Sequence, residues 1–287
     1  AAGNPIVINY STAVIGVTLE NALLNVGDMF QISGDFAFEK TKGIEVDVMT
    51  GLPSLLTGTA AGLNSQLAKF KVDGYLSADN STFTDLPVDM ISFGASNVQI
   101  VVGNAGDPLF TIDEIDVGFV MMHASRQVDS ARVIPNMYAM KANWAHPLDV
   151  DWGFMQLQID DLTMALNKGS KWAGLNVNPY VDFQSSFGAD GLGVHTGGDD
   201  VMLDLTRSMI GVEVGHALIR LDDFFYIEGG FALEKAESVL VDINTGFGAH
   251  SLDAAAKLAP LVASGQVEPL DFSRINKLAM SSFTMGL

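Results

Sequence analysis

The sequence predicts an all-β fold: an elongated, β-rich repeat module, solenoid-like or built of stacked sheets, with short helical inserts. Three observations carry that expectation. Apolar residues alternate with period two through most of the 287 positions, as strands buried on one face require. Turn signals separate the alternating runs at short intervals, with little helical periodicity between them. Finally, residues 15–51 (IGVTLENALLNVGDMFQISGDFAFEKTKGIEVDVMTG) recur without a gap as 210–246 (IGVEVGHALIRLDDFFYIEGGFALEKAESVLVDINTG), with 17 of 37 positions identical. Such a recurrence marks one supersecondary unit written twice.

The clearest strand holds Phe30, Ile32, Gly34, Phe36 and Phe38 on one side and Gln31, Ser33, Asp35 and Ala37 on the other. Its apolar side is the expected core side. The same alternation marks Val98-Ile100-Val102, Ile115-Val117-Phe119-Met121, Val201-Leu203-Leu205, Phe224-Tyr226 and Val239-Val241-Ile243. Turns are expected at 25–28, 103–108, 167–170, 188–191 and 196–200, where Gly, Asn, Asp, Ser and Pro gather.

Two segments, 52–89 and 247–279, break the pattern. In the second, Ser251 is a plausible N-cap, and Leu252, Ala255, Leu258 and Ala259 keep helical spacing. Each segment follows a Thr-Gly pair (Thr50-Gly51, Thr245-Gly246) and precedes a Met-x-Ser-Phe phrase (Met90–Phe93, Met280–Phe283), so the offset between copies falls from 195 to 190. These are inserts at one fixed point of the unit, expected to project from one side of an array. Residues 1–14 lie over 196–209 with Ile6 on Val201 and Ile8 on Leu203. The chain therefore divides into the C-terminal part of one unit (1–89, with its insert at 52–89), one complete unit (90–279, with its insert at 247–279) and the start of the next (280–287). It reads as an excerpt of a longer tandem array, with a degenerate two-unit protein as the alternative.

The phrases around the repeat resemble those of very large tandem-repeat proteins of marine and environmental bacteria. Some of these carry an LEPR-XLL domain and others are adhesin-like β-strand-repeat proteins. The shared order is "SGDFAFEK", then Ser96-Asn-Val-Gln-Ile-Val-Val-Gly, Ile115-Asp-Val-Gly-Phe-Val-Met-Met, Tyr138-Ala-Met-Lys-Ala-Asn-Trp, Ile159-Asp-Asp-Leu-Thr-Met-Ala-Leu-Asn and Val181-Asp-Phe. The order is more specific than any one phrase, and the inserts lie outside the likeness. The resemblance implies a secreted or cell-surface protein with no catalytic or cofactor-binding residue to carry over.

Composition narrows the function independently. A chain that is 48% hydrophobic can bury a core, and a net charge of −19, from 15 basic and 34 acidic residues, repels nucleic acid and anionic membranes. With no cysteine there are no disulfides, thiolate zinc sites or iron–sulfur clusters. The N-terminal AAGNPIVINY lacks the charged and apolar regions of a signal peptide, and no apolar run approaches the ~20 residues of a membrane-spanning helix.

The chemistry-bearing residues do not assemble into a motif. His123, His146, His195, His216 and His250 stand singly, without HExxH or HxH spacing. There is no Gly-x-Ser-x-Gly elbow and no nucleotide-binding glycine loop. Acidic residues gather at 113–116, Asp149 and Asp151, Asp160-Asp161, Asp199-Asp200 with Asp204, and Asp222-Asp223, all expected at turns or strand ends. They read first as a solvated rim capping turns, and second as a calcium site, since calcium takes six to eight oxygens. No cluster has EF-hand or nonapeptide spacing, so the metal ligands stay unassigned. The aromatics Phe36, Phe38, Trp144, Trp152, Phe154, Phe224, Phe225, Tyr226 and Phe231 fit core positions, whereas Trp172 lies outside a clear strand and is the expected exposed one.

The leading expectation is a non-enzymatic, extracellular structural or adhesive protein whose copies meet neighbouring repeats or identical subunits end to end. The alternatives are a module binding calcium or surface glycans, and a hydrolase hidden in an insert. End-to-end contact is expected through Ile6–Val14 and Phe283–Leu287. Self-repulsion at −19 is relieved by any divalent cation. Thermal denaturation should therefore show calcium and magnesium each raising Tm by a few degrees. A sharp response to micromolar calcium alone would replace screening with a specific oxygen-ligand site.

Overall fold

The computed structural model describes residues 14–26, 30–52, 56, 61–104, 107–145, 148–151, 153, 155–173, 175, 177–221, 225–263 and 266–287. Among the described residues, thirteen strands and three helices follow one another. They are β1 (Val14–Val26), β2 (Phe30–Met49), α1 (Ala61–Val72), β3 (Thr82–Asn104), β4 (Asp107–Ala124), β5 (Met137–Trp144), β6 (Leu148–Asp151), β7 (Met155–Gly169), β8 (Tyr180–Asp182), α2 (Phe183–Phe187), β9 (Leu192–Val194), β10 (Val201–Leu203), β11 (Met209–Leu221), β12 (Phe225–Asn244), α3 (Leu252–Ala263) and β13 (Arg274–Gly286). The chain is mostly β, as its alternation predicts.

Eleven of the described strands lie in one antiparallel sheet, not in solenoid coils. Its order is β1-β2-β3-β4-β5-β7-β11-β12-β13, with β6 continuing the place of β5 along β7 and β8 pairing with the far end of β2. β9 and β10 form a separate two-stranded ribbon. The boundaries expected at 89/90 and 279/280 fall inside β3 and β13.

A transverse seam of extra residues crosses the sheet. Glu20 and Asn21 of β1 stand opposite Asp35 alone. Ser96 and Asn97 of β3 stand opposite Asp116, and Asp113 and Glu114 of β4 opposite Gln99. In β11 the pair Gly215 and His216 faces Gly230. These are β-bulges, which bend a strand and sharpen its twist. Asn21, Asn97, Glu114 and Asp161 hold φ of 51°, 52°, 55° and 54°, a left-handed conformation that Asn and Asp adopt more readily than most side chains. The Asp35 carboxylate accepts the Asn21 N–H at 2.7 Å, and that of Asp116 accepts the Asn97 N–H at 2.9 Å. The acidic groups at 113–116 and 160–161 thus sit inside β4 and β7, the first at bulges and the second opposite the bulge of β11, and not at turns or strand ends.

On one side of the seam the sheet has a covered face and an open face. The segment from Ser170 to Ser208, with β8, α2 and the β9–β10 ribbon, folds back over β2 to β5. It buries Trp172, Val181, Phe183, Val194 and Leu203 in one cluster with Val48, Phe83, Val120, Met122 and Met137 of the sheet. The ribbon descends onto small residues. Ala37, Gly94 and Gly118 are register partners on β2, β3 and β4. A Cβ on Gly94 would collide with the His195 carbonyl oxygen, and one on Gly118 would stand 2.9 Å from Val201 Cβ. The fully buried Thr196 completes the contact, its hydroxyl 2.8 Å from Ser96 Oγ and accepting the Gly198 N–H at 3.0 Å.

This inverts one sequence expectation. Ala37 is 2% exposed and faces the core, whereas Phe38 is 44% exposed on the open face. The period of two is as expected, but the buried side is the one with small residues, because backbone lies directly upon it. Phe225 and Tyr226, expected in the core, are exposed as well.

The inserts do carry helices, but these pack against their hairpins. The third, seventh and tenth residues of α1 (Leu63, Leu67, Phe70) enter the main cluster, and the same positions of α3 (Ala254, Leu258, Leu261) enter a smaller cluster with Val267, Phe272 and Ile275. The Ser251 hydroxyl accepts the Ala254 N–H at 3.2 Å, as its expected capping role requires. Each Thr-Gly pair is fixed alike. Thr50 Oγ1 donates to the Asn80 carbonyl and accepts the Leu52 N–H, and Thr245 Oγ1 donates to the Phe272 carbonyl and accepts the Phe247 N–H. In the ladder, Thr41 pairs Met90 whereas Ala236 pairs Ser282. The Met-x-Ser-Phe phrases are therefore two residues out of step, a slip that keeps every side chain on its own face.

Gly94 and Gly286 test this account, because Gly286 faces Ala232 as Gly94 faces Ala37, and a Cβ there would meet only Ala232 Cβ at 3.9 Å. Urea denaturation should show Gly94→Ala destabilising the protein by about 1–3 kcal/mol, the cost of overpacking, and Gly286→Ala nearly neutral. Equal losses would mean that the ribbon does not need this close approach.

Candidate assembly surface

The open face and the two sheet edges carry many of the exposed large hydrophobic side chains among the described residues. On the open face, register partners align into apolar rows that run from strand to strand. One row joins Val17, Phe38, Phe93, Phe119, Met140, Leu166 and Ile210 across seven strands. Val17, Phe38, Phe93 and Ile210 are exposed. A contiguous apolar patch of this kind marks an interaction surface more often than a solvated one.

The rows end at two edge strands, each paired on one side only among the described residues. β1 pairs β2, and β13 pairs β12. Ile15, Val17, Leu19, Leu23 and Leu24 are exposed on β1, and Phe283, Met285 and Leu287 at the end of β13. Phe283–Leu287, expected at an assembly contact, is thus an exposed apolar edge. Of the other expected contact, Ile6–Val14, all but Val14 lies outside the described residues.

A basic cleft lies at one end of the open face. Lys42, Asp89 and His123 are neighbours across β2, β3 and β4. With Lys40, Arg126 and Arg132 they line a recess of about 490 Å³. Burial, with the Arg132 guanidinium next in weight, pushes the His123 imidazole below its ordinary value, while Asp89 at 3.7 Å opposes the shift. In a chain with 15 basic residues and a net charge of −19, four basic side chains in one recess form a local reversal of potential. The sequence gives no hint of it, because Lys40 and Arg126 are far apart along the chain.

The remaining site candidates disperse. His195 Nδ1 lies 3.0 Å from Asp200 at the tip of the β9–β10 turn, and His250 lies in the turn before α3. His146, Trp152, Phe154, Asp222, Asp223 and Phe224 lie outside the described residues. Asp149 and Asp151 are in β6, and Asp204 pairs with Lys141 at 2.8 Å. Trp172 is not exposed. Its indole is 1% accessible and donates to the Thr50 carbonyl at 2.9 Å, which locks the returning segment to the insert.

Sheet register does assemble one group that the sequence scatters. His216 Nδ1 lies 3.1 Å from Asp160 and Nε2 3.1 Å from Glu228, on three adjacent strands, and the Tyr226 hydroxyl also donates to Glu228. The carboxylates flank opposite edges of the imidazole and engage both nitrogens. No lone pair is left to converge with theirs on a metal, and among the described residues no group of three or more His, Asp or Glu side chains has metal-site geometry. No protein-family profile, no curated protein and no solved structure matches the chain.

The hydrogen bond that His216 donates to Glu228 raises its pKa above the ordinary 6.5, opposed by burial and helped by the bond to Asp160. Because the folded value is the higher one, the favourable contribution is complete below the unfolded value and disappears as pH rises through the folded value. NMR titration should place His216 above 6.5 and His123 below it. Glu228→Gln should move His216 down, and amide protection at 216–221 and 225–228, measured relative to intrinsic exchange at each pH, should fall as pH rises through the folded value. A His216 titration unmoved by Glu228→Gln would remove Glu228 from the account.

Proposed function

We propose that this is a non-enzymatic, extracellular structural or adhesive protein, whose repeating units join edge to edge into an extended array or filament at the cell surface. The observation that supports it is a single antiparallel sheet with both edge strands uncovered and apolar among the described residues. Such edges pair with any strand offered in register, and an open head-to-tail contact propagates without closing. The acidic surface disfavours sideways association while the edges join. Residues 15–51 and 210–246 are then two copies of one unit, and successive units extend the same sheet.

A second reading rests on the basic cleft. Lys40, Lys42, Arg126 and Arg132 offer charged donors to a carboxylated or sulfated surface glycan, which would make the array adhesive as well as structural. Calcium is the less supported ligand, since at the bulges the Asp35 and Asp116 carboxylates accept backbone N–H groups and that of Asp113 accepts the Gln99 side-chain amide.

The test is recovery of the intact polypeptide from its source. We expect it in fibres, sheath or matrix, either as a chain much longer than 30.5 kDa or as assembled subunits of that mass. A 30.5-kDa chain that stays monomeric at high concentration would overturn the array, and turnover of a polysaccharide or ester would overturn the non-enzymatic reading. For the second reading, a uronate or sulfated polysaccharide should bind in low salt and neutral dextran should not, with binding lost in Lys40→Ala/Arg126→Ala. Equal retention of both polymers would dismiss the cleft.

A further inference from the structure

β1 and β11 hold the same place in their hairpins, yet only one is covered. Val14 faces Thr41 as Met209 faces Ala236, and Leu19 faces Phe36 as Val214 faces Phe231. Each strand then carries one extra residue before Ala22 meets Gly34, or Ala217 meets Gly229. All of these correspondences are 195 positions apart. On its other edge β11 is paired along its length with β7, from Met209 opposite Asn167 to Leu221 opposite Met155. β1 has no strand there among the described residues. The side chains register the difference: Val214 is 4% exposed and Ile210 42%, whereas their counterparts Leu19 and Ile15 are 53% and 73% exposed.

We propose that the outer edge of β1 is a docking edge for a β7-type strand supplied by a neighbouring copy of the unit. The strand pairs antiparallel, from Val14 opposite the position of Asn167 to Val26 opposite that of Met155. This rests on reading 15–51 and 210–246 as copies of one unit.

The residues of β1 suit that occupant. Ile15, Val17 and Leu19 meet Leu166, Met164 and Leu162, which extends the apolar rows by one strand, and Leu24 and Val26 meet Leu157 and Met155. At the seam, Asp160 falls opposite Asn21, whose side-chain amide can donate to it as His216 does in β11. β1 contains no lysine, arginine or proline, the residues with which edge strands refuse partners, and its single charge is Glu20. Within any one chain β7 is already held between β5 and β11. The partner must therefore present a β7-type strand at its own boundary, which is the geometry of successive units and not of a face-to-face dimer.

The experiment adds a synthetic peptide of the β7 sequence, MQLQIDDLTMALNKG, to the full chain and follows amide hydrogen exchange by mass spectrometry. Saturating peptide should slow exchange across residues 14–26 by about tenfold or more, with β11 unchanged. A peptide with lysine at the positions of Leu162 and Met164 should not protect. The protein variant Val17→Lys alters an exposed side chain, so it should keep its circular dichroism and lose the protection. Unchanged exchange at 14–26, or equal protection by a scrambled peptide, would overturn the proposal. Protection that grows with protein concentration and needs no peptide would overturn it too, by giving the edge to a second β1. Absence of protection in a protein recovered from surface fibres would reject this edge and leave the array standing. Protection by the peptide in a chain that turns over polysaccharide would do the reverse.

Discussion

The line of bulges across the sheet is the constraint on which the other features depend. Strands as long as 20 and 23 residues have no reason of their own to stay in step, since period-two patterns match equally well after a slip of two. An extra residue at the same latitude in neighbouring strands removes that freedom. Each bulge must find its neighbour's, and the Asp35 and Asp116 carboxylates fasten the adjoining backbone N–H groups there. A left-handed residue in mid-strand is costly for most side chains, which is why Asn21, Asn97 and Asp161 stand where a reading of alternation alone would want something apolar.

With register fixed, the two faces acquire different tasks. On the covered face the ribbon presses its backbone onto Gly94 and the Val201 and Val194 side chains onto Gly118, so these positions are small, and beneath it the Thr196 hydroxyl pairs with that of Ser96. Burial of Trp172, Phe183 and Leu203 beneath that segment supplies the main hydrophobic cluster. The open face keeps the bulk: Phe38, Phe93 and Phe119 lie side by side without a layer above them among the described residues. A monomer gains little by leaving such rows in water. An assembly that extends the sheet, or covers it, gains a great deal, and this asymmetry links the fold to the function proposed for it.

How much of this was legible varied by element. The β-rich class, the helices in both inserts and the Ser251 cap follow from short-range pattern. The place of Phe38 and Trp172 does not. An alternating run states that its two sides differ, but the hydrophobic side is assigned to the core only by assuming that cores are lined with large residues. Here the layer above the sheet is backbone at contact distance, and the small side is the buried one. Trp172 looked exposed because no strand surrounds it in sequence, yet its partner Thr50 is 122 positions away. The acidic groups were legible as hydrogen-bond acceptors for backbone and misplaced at turns, because bulges and turns ask for the same left-handed residues.

By itself the sequence determined the strand-rich class, the correspondence of 15–51 with 210–246, the helical inserts after each Thr-Gly, and a net charge of −19. All of these are properties of composition or of neighbours along the chain. Tertiary structure decided that the strands share one sheet, that its aromatic face stays open, that Lys40, Lys42, Arg126 and Arg132 meet in one recess, and that His216 bridges Asp160 and Glu228. Those outcomes depend on which residues face each other across a ladder. Hydrogen-bond register sets that, and no local pattern encodes it, because every strand here offers its neighbours nearly the same alternation.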